Sequence, residues 1–440
     1  MVILSTLSIS PKIVPKNLPG FPEFLPCDQI LFNNLKNTIK NLCESFGFTP
    51  MDTPILESAD ILLAKTGGDT EKQIYSFKKG NSEIAMRFDL TVPLAKYVAL
   101  HHENLIFPFR RYQIGKVYRG ERPQNGRFRE FYQADVDIIG SNNLDIIHDV
   151  EIISFIYTTI REIGFNDFVI KINNRKILNG LFSSFSCNPL EIIRIVDKKN
   201  KIGIDGIKRE LEKIKISSDN IETVIKFLNI SETKKNNIDV LKSMDIDNQM
   251  FQAGKKELIE IFEGINKFGI PDSHYMLDLT IARGLDYYTG TIYETILKGS
   301  KIGSVCSGGR YDNLSEFYTN KKIQGVGVSF GLTRLFYQMN VRSTKKSVSD
   351  VLVIPFTKKL NICIQAASFL RRHSINTEIF LEEKKMKNKL DYANKLKIPF
   401  ALIIGDDEIT SGKYSLKNLY TSEQKLLTLD EIVCEVKNPV

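Results

Sequence analysis

The stretch 282-ARGLDYYTGTIYE-294 packs an arginine, an aspartate and two adjacent tyrosines between Gly284 and Gly290. Arginine is suited to phosphate because its planar fork stays charged and presents paired donors, and Gly284 beside Arg283 would let the backbone turn close to such a ligand. The same residues have a purely structural account, with Tyr288 in a core and Arg283 in an ion pair. Neighbouring strand residues point to opposite faces, so alternation predicts that only one of Tyr287 and Tyr288 lines a given wall unless the strand is bulged.

A second constellation lies on 129-REFYQADVDIIG-140, where Arg129, Phe131, Gln133, Asp135 and Asp137 share one face of a strand. A glutamine and acids at every second position form a polar face that a sheet could hold under a ligand, although the solvent face of an edge hairpin would carry the same pattern. The partner segment 116-KVYRGER-122 puts Arg119 and Glu121 on a common face, so cations and carboxylates can oppose one another across the pair. Asp89 and Thr91 end a strand-like run just before a helix with Pro93 in its first turn. An acid there could hold an ammonium group or cap the helix.

Other chemistries find little support. No GxxxxGK[ST] phosphate loop occurs, and the glycines of 308-GGRYD-312 suit close backbone approach to a ligand instead. The five histidines show no metal-ligand spacing, so no metal site built by the protein itself is expected. The six cysteines never form a CxxC pair, which speaks against a zinc knuckle or disulfide framework and favours a reducing compartment.

The elements that must carry these residues follow from periodicity. Leu31, Leu35, Ile39, Leu42, Cys43 and Phe46 recur at helical spacing before Gly47. Strand-like runs around Pro54 to Leu56 and at 84-IAMRF-88 precede a helix over 92–102. The segments 111–120 and 129–140 read as an antiparallel hairpin whose tip is the ERPQNG loop. A Lys-, Ile- and acid-rich stretch at about 187–255 reads as a helical insertion. The β pattern resumes at 275–297 and 323–330, with a helix starting near Gly331. After the polar linker 342-RSTKKSVSD-350, strands alternate with helices, which implies a small α/β domain on a parallel or mixed sheet.

At 440 residues the chain exceeds one ordinary core and should form two or three domains. Its 42% hydrophobic and 25% charged residues describe a globular protein, and no apolar run is long enough to span a bilayer. The N-terminus, MVILSTLSISPKIVPK, reads as an extended arm. Between Phe109 and Glu130, seven Lys or Arg (Arg110, Arg111, Lys116, Arg119, Arg122, Arg127, Arg129) stand against two Glu, a cluster suited to phosphates.

Together these segments resemble a class II aminoacyl-tRNA synthetase, specifically the histidyl-tRNA synthetase family. The hairpin 119-RGERPQNGRFREFYQADVDIIG-140 resembles that family's motif 2, 325-GVGVSFGLTRL-335 its motif 3, and 283-RGLDYYTGTIYE-294 and 307-SGGRYD-312 its two histidine-specific motifs. Pro54 sits where the motif 1 proline of a dimer interface would be. The resemblance runs from about Pro22 to the C-terminus in the family's order, and departs from many bacterial members in having Asp at 89 and 137 where they have Glu.

The resemblance implies an α+β catalytic domain over 1–340 on a six-stranded antiparallel sheet, with the helical insertion at about 187–255. It implies a linker at 341–350 and a C-terminal α/β anticodon-binding domain over 351–440. The implied reaction joins L-histidine to tRNA(His) through a histidyl-adenylate formed from ATP with Mg2+, in a cytoplasmic homodimer with no membrane attachment. Carried over by position, Asp89 and Thr91 would hold the amino end of histidine, and Gln133, Asp137, Tyr287 and Tyr288 would enclose its amino and imidazole groups. Arg119 would grip the α-phosphate, with Glu121, Arg127 and Arg334 around ATP. Arg283 would be the catalytic arginine, and Arg122 and Gln124 would lie near the tRNA acceptor end. The alternative is a non-catalytic paralogue with a regulatory or tRNA-sensing role, which typically loses the paired arginines that this chain keeps.

Overall fold

The computed structural model describes residues 13–438 apart from 65–70, 123, 125, 184, 186, 197, 231–236, 282–286, 301 and 340–344. The chain divides into two compact units, Met1–Pro22 with Leu35–Met339 and Glu23–Asn34 with Asn340–Val440.

The first unit is built on an eight-stranded sheet. Its order is Thr49–Pro50, Phe109–Tyr118, Glu130–Ser141, Ile323–Gly331, Ser304–Tyr311, Thr291–Leu297, Phe168–Asn174 and Tyr275–Leu277. The six inner strands pair antiparallel throughout. The short outer strands add to each edge in parallel. The antiparallel six-stranded sheet implied by the resemblance is therefore present, widened by one short strand at each side. A separate three-stranded sheet combines Leu56–Ser58, Ser76–Lys79 and Ser82–Met86.

The inner strands are covered on both faces, which is why Gln133 to Gly140 are buried without a break. One face is apolar: Ala134, Val136 and Ile138 point toward the helix Ile147–Glu162, which buries Val150, Ile152, Ile153, Phe155 and Ile156. Phe155 meets Phe330 edge-on at 5.8 Å and is flanked by Phe46 and Phe48. Two arginines tie the same helix to the sheet. Arg310 pairs with the fully buried Asp149 at 2.5 Å and donates to the carbonyls of Leu144 and Asp145, while Arg110 grips both oxygens of Glu151. The opposite face of the same strands carries Gln133, Asp135 and Asp137.

Between the strands Phe168–Asn174 and Tyr275–Leu277 the described chain is mostly helical, as Arg175–Phe182, Pro189–Val196, Lys199–Lys213 with a break at Gly203, Ser218–Ile230, Asn237–Ser243 and Gln249–Lys267. The second unit holds a five-stranded mixed sheet in the order Thr377–Ile379, Val351–Phe356, Phe400–Gly405, Tyr414–Asn418 and Gln424–Leu427. The first three strands are parallel and the last two join antiparallel. Along the strand Val351–Phe356, Val351 and Val353 pack with Cys363 and Leu370 on one side, and Leu352 and Ile354 with Ala393 and Ile398 on the other. Among the described residues no helix is long and apolar enough to cross a membrane.

Candidate active site

The polar sheet face is organised as two rows that run across the strands, because antiparallel register sets side chains directly opposite one another. Gln113, Asp135, Ser329, Ser307 and Glu294 form one row, paired residue by residue. Arg111, Asp137, Gly327 and Gly309 form the next. The glycines are required by closeness: a Cβ at Gly327 would collide with the Asp137 carboxylate, and one at Gly309 with the Thr291 carbonyl and the Tyr288 ring. The floor is thus kept low where its neighbours reach up.

Two adjoining chambers stand over these rows. The outer one is lined by Arg119, Glu121, Arg127, Phe131 and Arg334 among others. The inner one takes in Asp89, Thr91, Asp135, Asp137, Tyr287, Tyr288, Glu294 and Tyr311. Arg119, Gln133, Ser307 and Ser329 line both, so the chambers share a wall. The pair therefore offers one cationic compartment and one lined by carboxylates and phenols.

Asp89 caps the start of a helix and is also placed at the inner chamber. Its Oδ1 accepts the backbone N–H groups of Thr91 (3.2 Å) and Val92 (2.9 Å) at the start of the helix Thr91–His101, and its side chain also lines the inner chamber. Burial pushes this carboxyl up, opposed by the Val92 N–H and by the Arg119 guanidinium. Asp137 is held from two sides, by the Tyr311 hydroxyl donating to Oδ1 at 2.5 Å and by Arg111 Nη2 at 2.6 Å from Oδ2. Burial raises its pKa, and Arg111 and the Tyr311 hydroxyl pull it back. Gln133 donates to the Ser329 hydroxyl at 2.8 Å.

Arg119 sits at the junction. Its Nε donates to the Phe88 carbonyl at 3.2 Å, and its guanidinium lies over the rings of Phe88 (4.4 Å) and Phe131 (5.1 Å), which fixes the plane of the fork. Arg334 donates to the Gly126 carbonyl at 3.1 Å and to the Ser304 carbonyl, so it pins the hairpin end against the strand Ser304–Tyr311. Arg127 pairs with Glu121 at 3.4 Å and is half exposed. Arg122 and Gln124 are exposed at the hairpin tip, where Gln124 pairs with Arg127 through the backbone, and they lie outside both chambers. Arg283 lies outside the described residues.

Two expectations are corrected. The basic cluster does not face phosphate as a body: Arg110 is spent on Glu151, Lys116 on Glu130, Arg129 on the Glu121 carbonyl, and Arg111 is fully buried beside Asp137. Arg119 and Arg127 are the members that reach the outer chamber. Alternation also fails at the tyrosines, because the strand begins only at Thr291 and both Tyr287 and Tyr288 line the inner chamber, their rings 4.9 Å apart. The turn is anchored by Thr289, whose N–H donates to the Arg310 carbonyl at 2.9 Å and whose hydroxyl donates to Asp312 at 2.6 Å.

Sequence reading missed Arg111, Tyr311 and Ser329 as contributors to this chamber. Their signal was present in the register: Arg111 and Gln113 alternate opposite Asp137 and Asp135, and Ser329 faces Asp135. Among the described residues no group of three or more His, Cys, Asp or Glu could hold a metal ion.

Comparison with known proteins places these features in context. Residues 20–335 match a family model described as histidyl-tRNA synthetase, and residues 350–438 one described as an anticodon binding domain. The chain is 52% identical to a histidine–tRNA ligase of Clostridium tetani, over 97% of this chain and 99% of that protein. It is 44% identical to one of Finegoldia magna, over 97% and 100% respectively. Among solved structures it is similar to the histidyl-tRNA synthetase of Nostoc sp. PCC 7120, with a TM-score of 0.86, 36% identity, and coverage of 98% of this chain and 100% of that one.

Proposed function

This chain belongs to the histidyl-tRNA synthetase family, and from that premise we propose how its residues divide the work. The protein is a histidine–tRNA ligase that joins L-histidine to tRNA(His) at the expense of ATP, through a histidyl-adenylate. The observation that carries the assignment of roles is the pair of chambers meeting at Arg119, because activation must bring a carboxylate and a phosphate together at one wall.

Histidine occupies the inner chamber. Asp89 accepts from its ammonium group beside the Thr91 hydroxyl, and Gln133, Asp137, Tyr287 and Tyr288 surround the amino group and ring. A site that satisfies the polar ring can reject apolar analogues by roughly 10⁴ to 10⁵, since those would leave its buried polar groups unpaired. ATP occupies the outer chamber among Glu121, Arg127 and Arg334. The carboxylate oxygen of histidine attacks the α-phosphorus, the bond to the β-phosphate oxygen breaks, and pyrophosphate leaves. Negative charge builds on the α-phosphate oxygens, and a guanidinium held in place by Phe88 and Phe131 meets it without reorganising. Arg283, which lies outside the described residues, is assigned from its motif alone as the arginine that stabilises charge on the same phosphate.

A magnesium ion carried by phosphates needs only one or two carboxylates from the protein; Glu121 of the outer chamber would offer one to Mg2+ bound with the nucleotide, and the ion would supply neutralisation of phosphate charge. A terminal ribose hydroxyl of tRNA(His) then attacks the acyl carbon of the adenylate and AMP leaves, with Arg122 and Gln124 at the acceptor end, exposed on the hairpin tip. We assign residues 1–340 to catalysis, with the helical insertion at about 187–255, 341–350 to a linker and 351–440 to anticodon binding, in a cytoplasmic homodimer formed through the segment around Pro54.

The test is histidine-dependent ATP–pyrophosphate exchange. Wild-type protein exchanges pyrophosphate only with histidine, and Arg119→Ala lowers kcat by roughly 10² to 10³, the usual loss for one preorganised donor to developing charge. Exchange by Arg119→Ala within threefold of wild type would remove Arg119 from the phosphate, and no exchange by folded wild type would return the chain to the regulatory alternative.

A further inference from the structure

Beyond Tyr118 and Glu130 the hairpin leaves the strand ladder, so the placement of Arg119 and Glu121 in the outer chamber depends on what holds the loop from outside. The Gly120 N–H donates to the Gln73 carbonyl at 2.7 Å, and Arg334 donates to the Gly126 carbonyl at 3.1 Å. A further hold comes from the N-terminal arm, which the roles above do not use. Residues 13–19 are exposed, and the chain turns over Leu18–Phe21, where the Phe21 N–H donates to the Leu18 carbonyl at 3.0 Å. The turn presents the Gly20 carbonyl to two successive N–H groups of the returning strand, Arg129 at 2.8 Å and Glu130 at 3.1 Å. Successive N–H groups that converge form a nest, the backbone's usual cradle for an anion. Here a carbonyl oxygen of the arm fills it.

We propose that Gly20 is a positioning residue for adenylate formation, its carbonyl acting through Arg129 to hold Arg119 and Glu121 in the outer chamber. This rests on the ATP reading of that chamber. Arg129 makes the link: its N–H donates to Gly20, its carbonyl accepts the Arg119 N–H at 2.8 Å, and its Nε donates to the Glu121 carbonyl at 3.0 Å. One backbone oxygen of the arm thus fixes the residue that fixes both Arg119 and the acid beside it. Glycine is required at the turn for two reasons. Its φ is +85°, which L side chains rarely adopt, and a Cβ there would stand 3.0–3.1 Å from the Arg129 side chain and backbone N. The arm also follows the loop, since Pro19, Phe21 and Pro22 line a cleft with Gln124, Arg127 and Phe128. Phe128 in turn stacks on Tyr337 of the helix Leu332–Gln338, which carries Arg334, with the rings 5.1 Å apart. The acids of the inner chamber are set instead by sheet register and by the start of the helix Thr91–His101, so displacing the arm bears on ATP more than on histidine.

The experiment compares wild type, Gly20→Val and Gly20→Ala as full-length chains in histidine-dependent pyrophosphate exchange, with amide hydrogen exchange at Arg129 and Glu130 read alongside. The arm is exposed up to Pro19, so both variants are expected to fold, and the milder alanine serves if valine does not. The expected result for Gly20→Val is a KM for ATP raised roughly tenfold, the effect of weakening a hydrogen bond to a charged group, with a lower kcat from misplacement of the loop. KM for histidine stays within about twofold, and both amides exchange faster than in wild type. A merely structural role would lower the melting temperature and leave the two KM values in their wild-type ratio. A KM for ATP within about twofold of wild type in the folded variants overturns the proposal. So do equal increases in both KM values, which would mean a loosened fold, and so does a weakened ATP site with both amides as protected as before, which would take Arg129 out of the route. Absence of histidine-dependent exchange in wild type would instead overturn the reading of the outer chamber itself.

Discussion

Asp135 and Asp137 stand two residues apart on one strand, and each has one engaged oxygen, held by Ser329 and by the Tyr311 hydroxyl respectively, and one buried oxygen that makes no hydrogen bond among the described residues, with Arg111 2.6 Å from that of Asp137. This has a consequence for the unliganded protein. Burial, with Asp137 and Asp89 nearby, raises Asp135 from the ordinary carboxyl range to about 7 despite Arg111. The fold therefore binds this proton more tightly than the unfolded chain, so the favourable contribution is present below about pH 4 and is lost as pH rises through about 7. In thermal melts without ligand, Asp135→Asn should gain on wild type between pH 5 and 7.5, by roughly a few degrees, and then level off; a gap independent of pH would show that Asp135 ionises freely. Much of this chamber was legible from alternation alone, which set Gln133, Asp135 and Asp137 on one face. Arg111 was harder to read, because a cation inside a basic run looks like surface charge until the partner strand's register shows it facing Asp137. The tyrosine pair was misjudged for a related reason: period two was extended into a turn that precedes the strand.

At the scale of elements, the site depends on how the helix Ile147–Glu162 holds the sheet from behind. The Arg310–Asp149 pair is buried at both ends, with Arg310 also donating to two carbonyls. Breaking such a pair leaves an uncompensated buried charge and costs about 3–5 kcal/mol, whereas replacing both partners with apolar residues is often far milder. Arg310→Met should therefore destabilise strongly in urea, and adding Asp149→Leu should recover a large part of the loss; additive losses in the cycle would show that the two charges do not depend on each other. Arg310 is the arginine of the GGRYD motif, where sequence could not tell a ligand-facing side chain from a structural one. Strand parity separates them, since Arg310 turns to the helix and Tyr311 to the chamber. The hairpin and the helix start near Gly331 were readable directly, from alternation and from the turn residues between the strands.

At the scale of the whole molecule, the anticodon binding domain model matches residues 350–438, inside the second unit. From Ser343 onward there are sixteen Lys or Arg against twelve Asp or Glu, and that excess is half of the chain's net charge of +8. Binding that neutralises many phosphates releases counterions and weakens steeply with salt, while a nucleotide and an amino acid in enclosed chambers are screened much less. Raising salt from about 50 to about 200 mM should therefore raise KM for tRNA(His) by at least roughly tenfold and change KM for histidine in pyrophosphate exchange by less than about threefold. Equal responses would remove the electrostatic account of tRNA binding. The alternation of strands and helices after residue 350 made the second fold readable, whereas the short parallel edge strands Thr49–Pro50 and Tyr275–Leu277 carry too few residues to show a period.

The glycine floor beneath Asp137 and Tyr288 also bears on how the pocket could respond to selection by an inhibitor. A compound seated against Gly327 and Gly309 would touch positions where any side chain collides with the carboxylate, a carbonyl or the ring above. Resistance by substitution at those two positions would disable the host enzyme along with the drug, so escape would have to arise farther out, around the outer chamber.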